Sequence, residues 1–356
     1  MVKVVEVVCG LQNGGVESFL YNYISKINNE NYSFDIITHG KSNENTKNKF
    51  EKIGCKIIEI TPKRRNFIKN LFQLYYYLKN NDYDVIHCHM SINNAIPLII
   101  ARKVGIKLRI SHSHQAIINE KSFRKIKKYL FRNIILKNAN KYVACGENAG
   151  KYLYGKNFKN YTVIHNAINV NNFKFNRVSR EKIRKELNIN KDEILLGNVG
   201  RFSYQKNHEF LIELLKYMNN DMYKLLLIGN GELKNEIIEK VKKYNLENQV
   251  IFLENINNVN DYMSAMDIFL LPSLFEGLPL VAIEAQTSGV NCLFSKNIDN
   301  EVKINENAKL LDLNILEWER EIETANINRI NNIEKIRKRG YDIETEIEKF
   351  EKLYTL

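Results

Sequence analysis

The stretch Asp267-Ile-Phe-Leu-Leu-Pro-Ser273-Leu-Phe-Glu276-Gly277-Leu278-Pro279-Leu-Val-Ala-Ile-Glu284-Ala-Gln286 decides how this chain is read. Its first part is a short apolar run of the kind that makes a buried strand. Pro272 and Ser273 end that strand, and Gly277 with Pro279 makes the turn. From Leu280 to Thr287 the periodicity is helical, and Pro279 suits the first helical turn because its missing N–H would have no partner there. Glu276 therefore falls in the loop at the carboxyl end of a strand, and Glu284 falls early in the following helix. Between them, the amides of Gly277, Leu278 and Leu280 sit at a helix N-terminus, whose partial positive charge attracts an anion such as phosphate. Two carboxylates around an anion site suit a ligand with both phosphates and hydroxyls, as a nucleotide sugar has. A bare pair of glutamates is ordinarily solvated. The strand, Pro-Ser, Glu-Gly, helix frame is what sets this pair apart.

Outward from this stretch, apolar runs alternate with amphipathic segments. Runs fall at 2–8, 33–38, 56–60, 84–88, 107–111, 141–144 and 161–164, and again at 194–199, 223–228, 250–253, 267–271 and 291–294. Segments 16–28, 66–80, 207–218 and 232–244 carry helical spacing. The alternation predicts βαβ units with parallel sheets. The pattern restarts near residue 190, after a polar join at Asn166–Asn190 rich in Asn, Lys and Arg. The expected architecture is α/β: two doubly wound Rossmann-like domains, 1–170 and 171–339, with ligand between them at the carboxyl ends of the strands. Residues 340–356 read as a C-terminal helix.

The chain has 356 residues, 44% of them apolar, enough for two domains with sizeable cores. Lys, Asn or Asp interrupts every apolar run before the roughly 18 residues needed to cross a bilayer. The chain opens directly on a strand-like run without a signal-peptide pattern, so a cytoplasmic location is expected. Five cysteines, widely spaced and without Cys-x-x-Cys, read as reduced packing residues. The net charge of +12 is uneven: residues 1–170 carry 27 Lys and Arg against 11 Asp and Glu, while the rest carries 26 against 30. The excess gathers at Lys63-Arg64-Arg65, Arg102-Lys103 and Arg124–Arg132. The last of these alternates basic and apolar residues at near-helical spacing, as a helix on an anionic membrane would, and equally as a solvated basic face would. Zinc-finger, RNP-type and helix-turn-helix patterns are missing, which argues against a nucleic-acid partner.

Other motifs carry chemistry. Gly14 and Gly15 follow the opening strand, where backbone without side chains can approach a phosphate, although such a pair also serves a strand-to-helix turn by geometry alone. No G-x-G-x-x-G follows, which disfavours a dinucleotide. Glu17 would complement the helix dipole. Arg201 and Lys206, five residues apart after strand 194–199, can bring two cations to one diphosphate and make a metal unnecessary. His87 and His89 alternate along one strand end and His112 and His114 along another, so each pair points one way. Four such histidines invite zinc, but no Cys or carboxylate stands at ligand spacing. Packing at a strand end accounts for His87 and His89.

Taken together, these motifs resemble the retaining GT-B glycosyltransferases of family GT4, whose signature is Glu, seven residues, Glu. The resemblance spans nearly the whole chain. It includes Asn13-Gly14-Gly15-Val16-Glu17, Asp84-Val-Ile-His87-Cys-His89, Arg109-Ile-Ser-His112-Ser-His114, Val163-Ile-His-Asn166-Ala-Ile168-Asn, Gly197-Asn-Val-Gly200-Arg201-Phe-Ser-Tyr-Gln-Lys206-Asn207 and Leu227-Ile-Gly229-Asn-Gly231. Ala167 and Asn255 stand where the family usually has Gly, and His112 where it usually has Thr or Ser.

The resemblance implies two domains facing a central cleft, the first binding acceptor and the second binding nucleotide sugar, with the C-terminal helix crossing back to the first. It implies His114, Glu276, Arg201 and Lys206 as the catalytic set. Donor binding would fall to Gly14, Gly15, Asn166, Arg201, Lys206, Glu276, Gly277, Leu278 and Glu284. Of these, Glu284 would take the ribose hydroxyls, Glu276 those of the transferred sugar, and Asn166 would line the cleft. The implied activity is metal-independent, cofactor-free transfer of a hexose from a nucleotide sugar, UDP-linked, to a lipid-linked or polysaccharide acceptor. Arg-Ile-Ser-His-Ser-His resembles EpsF-like capsular and exopolysaccharide transferases, and with the basic segment Arg124–Arg132 a peripheral enzyme at the inner face of the plasma membrane is expected. Two rivals are a nucleotide-sugar epimerase of the same fold, which would need further active-site carboxylates, and a non-catalytic polysaccharide assembly subunit. Intact Arg201, Lys206, Glu276 and Glu284 argue against the latter.

Overall fold

The computed structural model describes all residues except 13, 28, 29, 115–121, 331 and 356, with the backbone alone of 122–127. The chain forms two compact units. One comprises Met1–Ala167 with Ile343–Leu356, the other Ile168–Asp342.

The first unit holds strands β1 (Val2–Val8), β2 (Tyr32–Thr38), β3 (Lys56–Glu59), β4 (Val85–Cys88), β5 (Leu108–Ser113), β6 (Lys141–Ala144) and β7 (Thr162–Val163). They form one parallel sheet in the order β3-β2-β1-β4-β5-β6-β7. Helices cover both faces, which is why the central strands read as continuous apolar runs rather than alternating ones. On one face, Phe19, Leu20, Tyr23 and Ile24 of helix Gly15–Ile24 pack with Phe350, Leu353 and Tyr354 from the C-terminal segment. On the other, Leu74 and Leu78 meet Leu98, Ala101 and Ile135.

The second unit repeats the plan with β8 (Ile194–Val199), β9 (Tyr223–Ile228), β10 (Val250–Leu253), β11 (Ile268–Leu271), β12 (Asn291–Ser295) and β13 (Ala308–Leu311). Its six-stranded sheet runs β10-β9-β8-β11-β12-β13. β13 is absent from the apolar runs listed from sequence. It is short, has an exposed lysine in Ala-Lys-Leu-Leu, and lies at a sheet edge where one side needs no apolar cover. Edge position likewise reduces β7 to two residues.

In each sheet the strand order reverses beside the first strand of its unit, between β1 and β4 and between β8 and β11. A reversal leaves a crevice outside the carboxyl ends, because the connections on either side leave in opposite directions. The loops after β1, β4, β8 and β11 carry most of the motifs singled out from sequence. In the second unit, two glycines make that edge compact. A Cβ on Gly229 (φ +151°) would stand 2.0 Å from the Gly200 carbonyl oxygen, and one on Gly231 would stand 2.4 Å from that of Phe202.

Candidate functional site

In the second unit, the β11 strand ends at Leu271 and the chain crosses Ser273–Glu276 before helix Leu280–Thr287. Pro279 sits one residue earlier than expected, as the N-cap with φ −73° and ψ 122°. Its extended ψ turns the chain, and the Leu280 amide becomes the first of the helix. Glu276 is pinned at its backbone, its N–H reaching the Asn297 carbonyl (3.4 Å) and its carbonyl accepting from the Asp299 N–H (3.3 Å). Its carboxylate oxygen Oε1 takes the Ser273 hydroxyl (2.5 Å) and lies 2.7 Å from Lys206 Nζ. A pair held this way costs little further ordering when a ligand arrives.

Gly200 explains how Lys206 reaches that position. A Cβ there would stand 3.3 Å from Lys206 Cδ, so the missing side chain leaves room for the lysine stem across the loop. Arg201 behaves differently: its guanidinium Nε meets Glu232 Oε2 at 3.0 Å on the exposed surface. The two cations are thus paired with different carboxylates. Gly277 has nothing within 4 Å of the place a Cβ would occupy, leaving its backbone open to a ligand. Glu284 is partly exposed as a residue, yet burial around its carboxyl pushes its pKa up to about 7, against the pull of Lys206. Desolvation disfavours the charged form, and no hydrogen bond to it compensates among the described residues.

In the first unit, Glu17 takes the capping role. Its carboxylate accepts the Gln12 and Gly14 amides, each at 3.0 Å, so the Gly14 N–H is engaged within the loop. Gly15 is open, with nothing near a would-be Cβ.

The histidines form one buried network built around Glu6, which the sequence reading missed. Parallel register places Glu6 of β1 opposite His87 of β4, and the period of two puts His89, His112 and His114 on the same sheet face. Glu6 Oε2 accepts from His89 Nε2 (2.6 Å), and His89 Nδ1 lies 2.7 Å from His114 Nε2. Glu6 Oε1 accepts from the Tyr354 hydroxyl (2.7 Å), which lies 3.0 Å from His87 Nδ1, while His87 Nε2 lies 3.2 Å from His112 Nδ1. His87 and His89 therefore do more than pack, since each is bonded through both ring nitrogens. Phe19 closes the face over His112, ring centroids 5.0 Å apart and edge-on. Burial would raise the Glu6 carboxyl, but His87 and the His89 hydrogen bond hold it well below the usual carboxylate range. Burial takes His89 down to about 4, and takes His112 and His114 well below their ordinary value. A signal for Glu6 was present in the sequence: one carboxylate inside Val-Lys-Val-Val-Glu-Val-Val, on a strand too apolar to be solvated, needs partners.

His87, His89 and His112 each offer a nitrogen within 4.8 Å of the others, the grouping among the described residues that could hold a metal. Its ring nitrogens already bond to one another and to Glu6 and Tyr354. The buried Asn166 neighbours His114, whose Nδ1 has no hydrogen bond of good geometry among the described residues. Cys9 is exposed, the other four cysteines are buried, and none of the five is in a disulfide.

Comparison with known proteins matches both units. The model described as Glycosyltransferase Family 4 covers residues 13–172, and that described as Glycosyl transferases group 1 covers 179–338. The chain is 29% identical to a Bacillus subtilis protein carrying the glycosyltransferase name EpsF, over 84% of this chain and 80% of that one. It is 27% identical to the capsular polysaccharide biosynthesis glycosyltransferase CapH of Staphylococcus aureus, over 86% and 84%. An Escherichia coli UDP-Gal:alpha-D-GlcNAc-diphosphoundecaprenol alpha-1,3-galactosyltransferase is 28% identical over 69% and 67%. Among solved structures, Anabaena HepE in complex with UDP-glucose shares the fold at a TM-score of 0.81, with 17% identity over all of both chains. Two parallel Rossmann-like sheets, the two family matches and these relatives together place the chain among the GT-B glycosyltransferases of the family 4 type.

Proposed function

We propose that the protein transfers a hexose, with retention, from a UDP-sugar to a lipid-linked or polysaccharide acceptor in the synthesis of a capsule or exopolysaccharide. The observation that carries this reading is the Lys206–Glu276 pair at 2.7 Å beside the start of helix Leu280–Thr287. A cation, a hydroxyl acceptor and open amides then lie where one ligand would present diphosphate and sugar hydroxyls. The names of the relatives, among them a UDP-galactose transferase acting on a diphosphoundecaprenol-linked sugar, support the donor and acceptor classes. Glu284 would accept ribose hydroxyls and Glu276 those of the transferred sugar, each carboxylate oxygen taking one O–H. In the reaction the C1–O bond to the diphosphate breaks and the acceptor oxygen bonds C1 on the same face. The acceptor proton passes to the departing phosphate, whose charge Lys206 stabilises with Arg201 and the helix N-terminus. An epimerase would need further active-site carboxylates; Asp299, whose N–H meets the Glu276 carbonyl, instead caps the turn Asn300–Val302 by accepting the Glu301 N–H (3.1 Å).

The test is a panel of nucleotide sugars read by mass spectrometry for donor hydrolysis and transfer, with and without EDTA. Activity is expected with a UDP-sugar and is expected to persist under chelation, because protein cations take the part of a divalent ion. Loss under EDTA with recovery on adding Mg²⁺ or Mn²⁺ would overturn the metal-independent part. Recovery with zinc alone would direct attention to His87, His89 and His112.

A lipid-linked acceptor requires an approach to a membrane. No described helix is long and apolar enough to cross one. In segment Arg124–Arg132, the side chains of Arg124, Lys125 and Lys127 lie outside the described residues. Lys128 lies over the Tyr152 ring, 4.1 Å from its centroid, and Arg132 bonds the Tyr152 and Leu153 carbonyls, while Tyr129 and Leu130 are exposed. A better apolar face lies on helix Phe67–Lys79. Its inner side buries Asn70, Leu74 and Leu78, while Ile68 (80% exposed), Phe72 (68%) and Tyr76 (53%) line the outer side. Exposed Arg64, Arg65, Lys69 and Lys79 surround that stripe. We propose shallow insertion of this helix into an anionic surface, each cation adding on the order of 1 kcal/mol. Wild type should co-sediment with anionic but not neutral vesicles at low salt. Ile68→Ser with Phe72→Ser should remove the salt-resistant part of binding, and Arg64, Arg65 and Lys69→Glu the salt-sensitive part. Indifference to anionic vesicles at low salt would make the acceptor a soluble one.

A further inference from the structure

We propose that Glu6 is a positioning residue for transfer: through His89 it fixes His114 in the tautomer protonated at Nε2, so that Nδ1 presents a lone pair to a substrate hydroxyl. This rests on the reading of the protein as a glycosyltransferase that uses His114 beside the sugar.

The argument is one of donors and acceptors. A carboxylate in its ionised form can only accept, and Glu6 lies fully buried with His89 Nε2 2.6 Å from its Oε2. His89 must therefore carry its proton on Nε2. Neutral imidazole has one proton, and burial keeps His89 neutral near pH 7. Its Nδ1 is then an acceptor, and the partner facing it at 2.7 Å is His114 Nε2. That nitrogen must donate. His114, also kept neutral by burial, is left with a bare Nδ1 at the carboxyl end of β5. Among the described residues this buried Nδ1 lacks a well-formed hydrogen bond, and its polar neighbour is Asn166, whose Oδ1 is likewise buried and unpartnered. The titratable groups around the chain are Glu6, Tyr354, His87 and His112; the His112 ring stacks on that of His114, centroids 4.0 Å apart, and among the described residues none of them hydrogen-bonds His114 Nδ1.

The second arm of the network bears on a different residue. Glu6 Oε1 takes the Tyr354 hydroxyl, and that branch ends at His112. Removing the Tyr354 hydroxyl should therefore leave the orientation of His114 intact, which separates a specific relay from general stability of the buried cluster. A histidine whose partner dictates its tautomer is oriented without being ionised, and the wrong tautomer is known to cost far more than a lost hydrogen bond.

The experiment uses the full chain labelled with ¹⁵N-histidine. In wild type, His114 should show a protonated Nε2 and an unprotonated Nδ1. Glu6→Gln keeps the shape but can turn either its carbonyl or its amide N–H toward His89 Nε2, so the tautomers are no longer fixed and a fraction of His114 carries its proton on Nδ1. Its turnover should fall by about 10-fold, the size of an outer-shell effect, up to about 10,000-fold, the size of a wrong-tautomer effect. UDP affinity should not change. Glu6→Asp should restore part of the turnover, and Tyr354→Phe should keep both the tautomer and the rate. A wild-type His114 protonated at Nδ1, or a folded Glu6→Gln protein whose spectra show His114 protonated at Nδ1 with turnover unchanged, would overturn the proposal. If Glu6→Gln fails to fold, the wild-type tautomer and the Tyr354→Phe comparison still decide it. Failure of transfer with every donor would sink the functional reading instead, and the tautomer assignment would stand on the spectra.

Discussion

Replacing Lys206 with alanine is expected to lower UDP affinity about 10- to 150-fold, the equivalent of roughly 1.5–3 kcal/mol for a charge-assisted hydrogen bond. Turnover should fall further, because the same substitution releases Glu276. In the wild type the Lys206 ammonium lies 2.7 Å from Glu276 Oε1, and the Ser273 hydroxyl holds the same oxygen. Without the lysine, a largely buried carboxylate keeps one hydroxyl as its anchor, which costs a buried charge more than a neutral group. Glu276→Gln should give the opposite sign for UDP. The ammonium would lose its charged partner and be free for the diphosphate, so affinity should hold or tighten while turnover drops. Calorimetry with UDP on the two variants and wild type, with circular dichroism to confirm folding, checks this. Unchanged affinity in a folded Lys206→Ala protein would place the phosphate site elsewhere, and equal losses in both variants would show that the two halves of the pair share one role.

Glu284→Gln should stabilise the free protein at alkaline pH and weaken UDP at the same time. Burial raises this carboxyl from about 4.5 to about 7. A folded-state value above the unfolded one means that its favourable contribution is present in full below pH 4.5 and is lost as pH rises through 7. Above that, the wild type holds an ionised, poorly solvated carboxylate that Gln does not. The variant should therefore gain on the order of 2–3 kcal/mol at pH 8, with the gain fading to nothing near pH 4. Because Gln is a weaker acceptor than a carboxylate, ribose binding should suffer. Denaturant titrations across pH 4–8, run beside UDP calorimetry, test both halves. A variant less stable than wild type at pH 8 would mean that Glu284 is a structural residue whose charge the fold relies on. Retained UDP affinity would remove it from the nucleotide site. Stability held back for function in this way is a common feature of binding sites.

Much of the fold was legible along the chain because parallel sheets covered on both faces need continuous apolar strands, and those runs are local in sequence. Ile194–Val199 and Tyr223–Ile228 were read to the residue. Ala308–Leu311 was not, since an edge strand needs apolar cover on one side and its Ala-Lys-Leu-Leu pattern carries little signal. The candidate residues Lys206, Glu276 and Glu284 were legible too, because a turn at a strand end announces itself through Gly, Pro and Ser.

What sequence by itself determined was the two-unit α/β architecture, the strand-end loops and the residue types they present. Tertiary structure alone decided which of those residues meet. Glu276 and Lys206 stand 70 positions apart, and Glu6 and Tyr354 stand 348 apart, yet each pair lies 2.7 Å apart in the folded chain. The apolar strand around Glu6 signals that this carboxylate needs partners, but nothing local says which they are. Its role arises because strand order sets β1 against β4, and because the C-terminal segment returns to the same unit and covers that face. Contacts between distant positions depend on register and packing over the whole sheet, and no window of sequence contains that information.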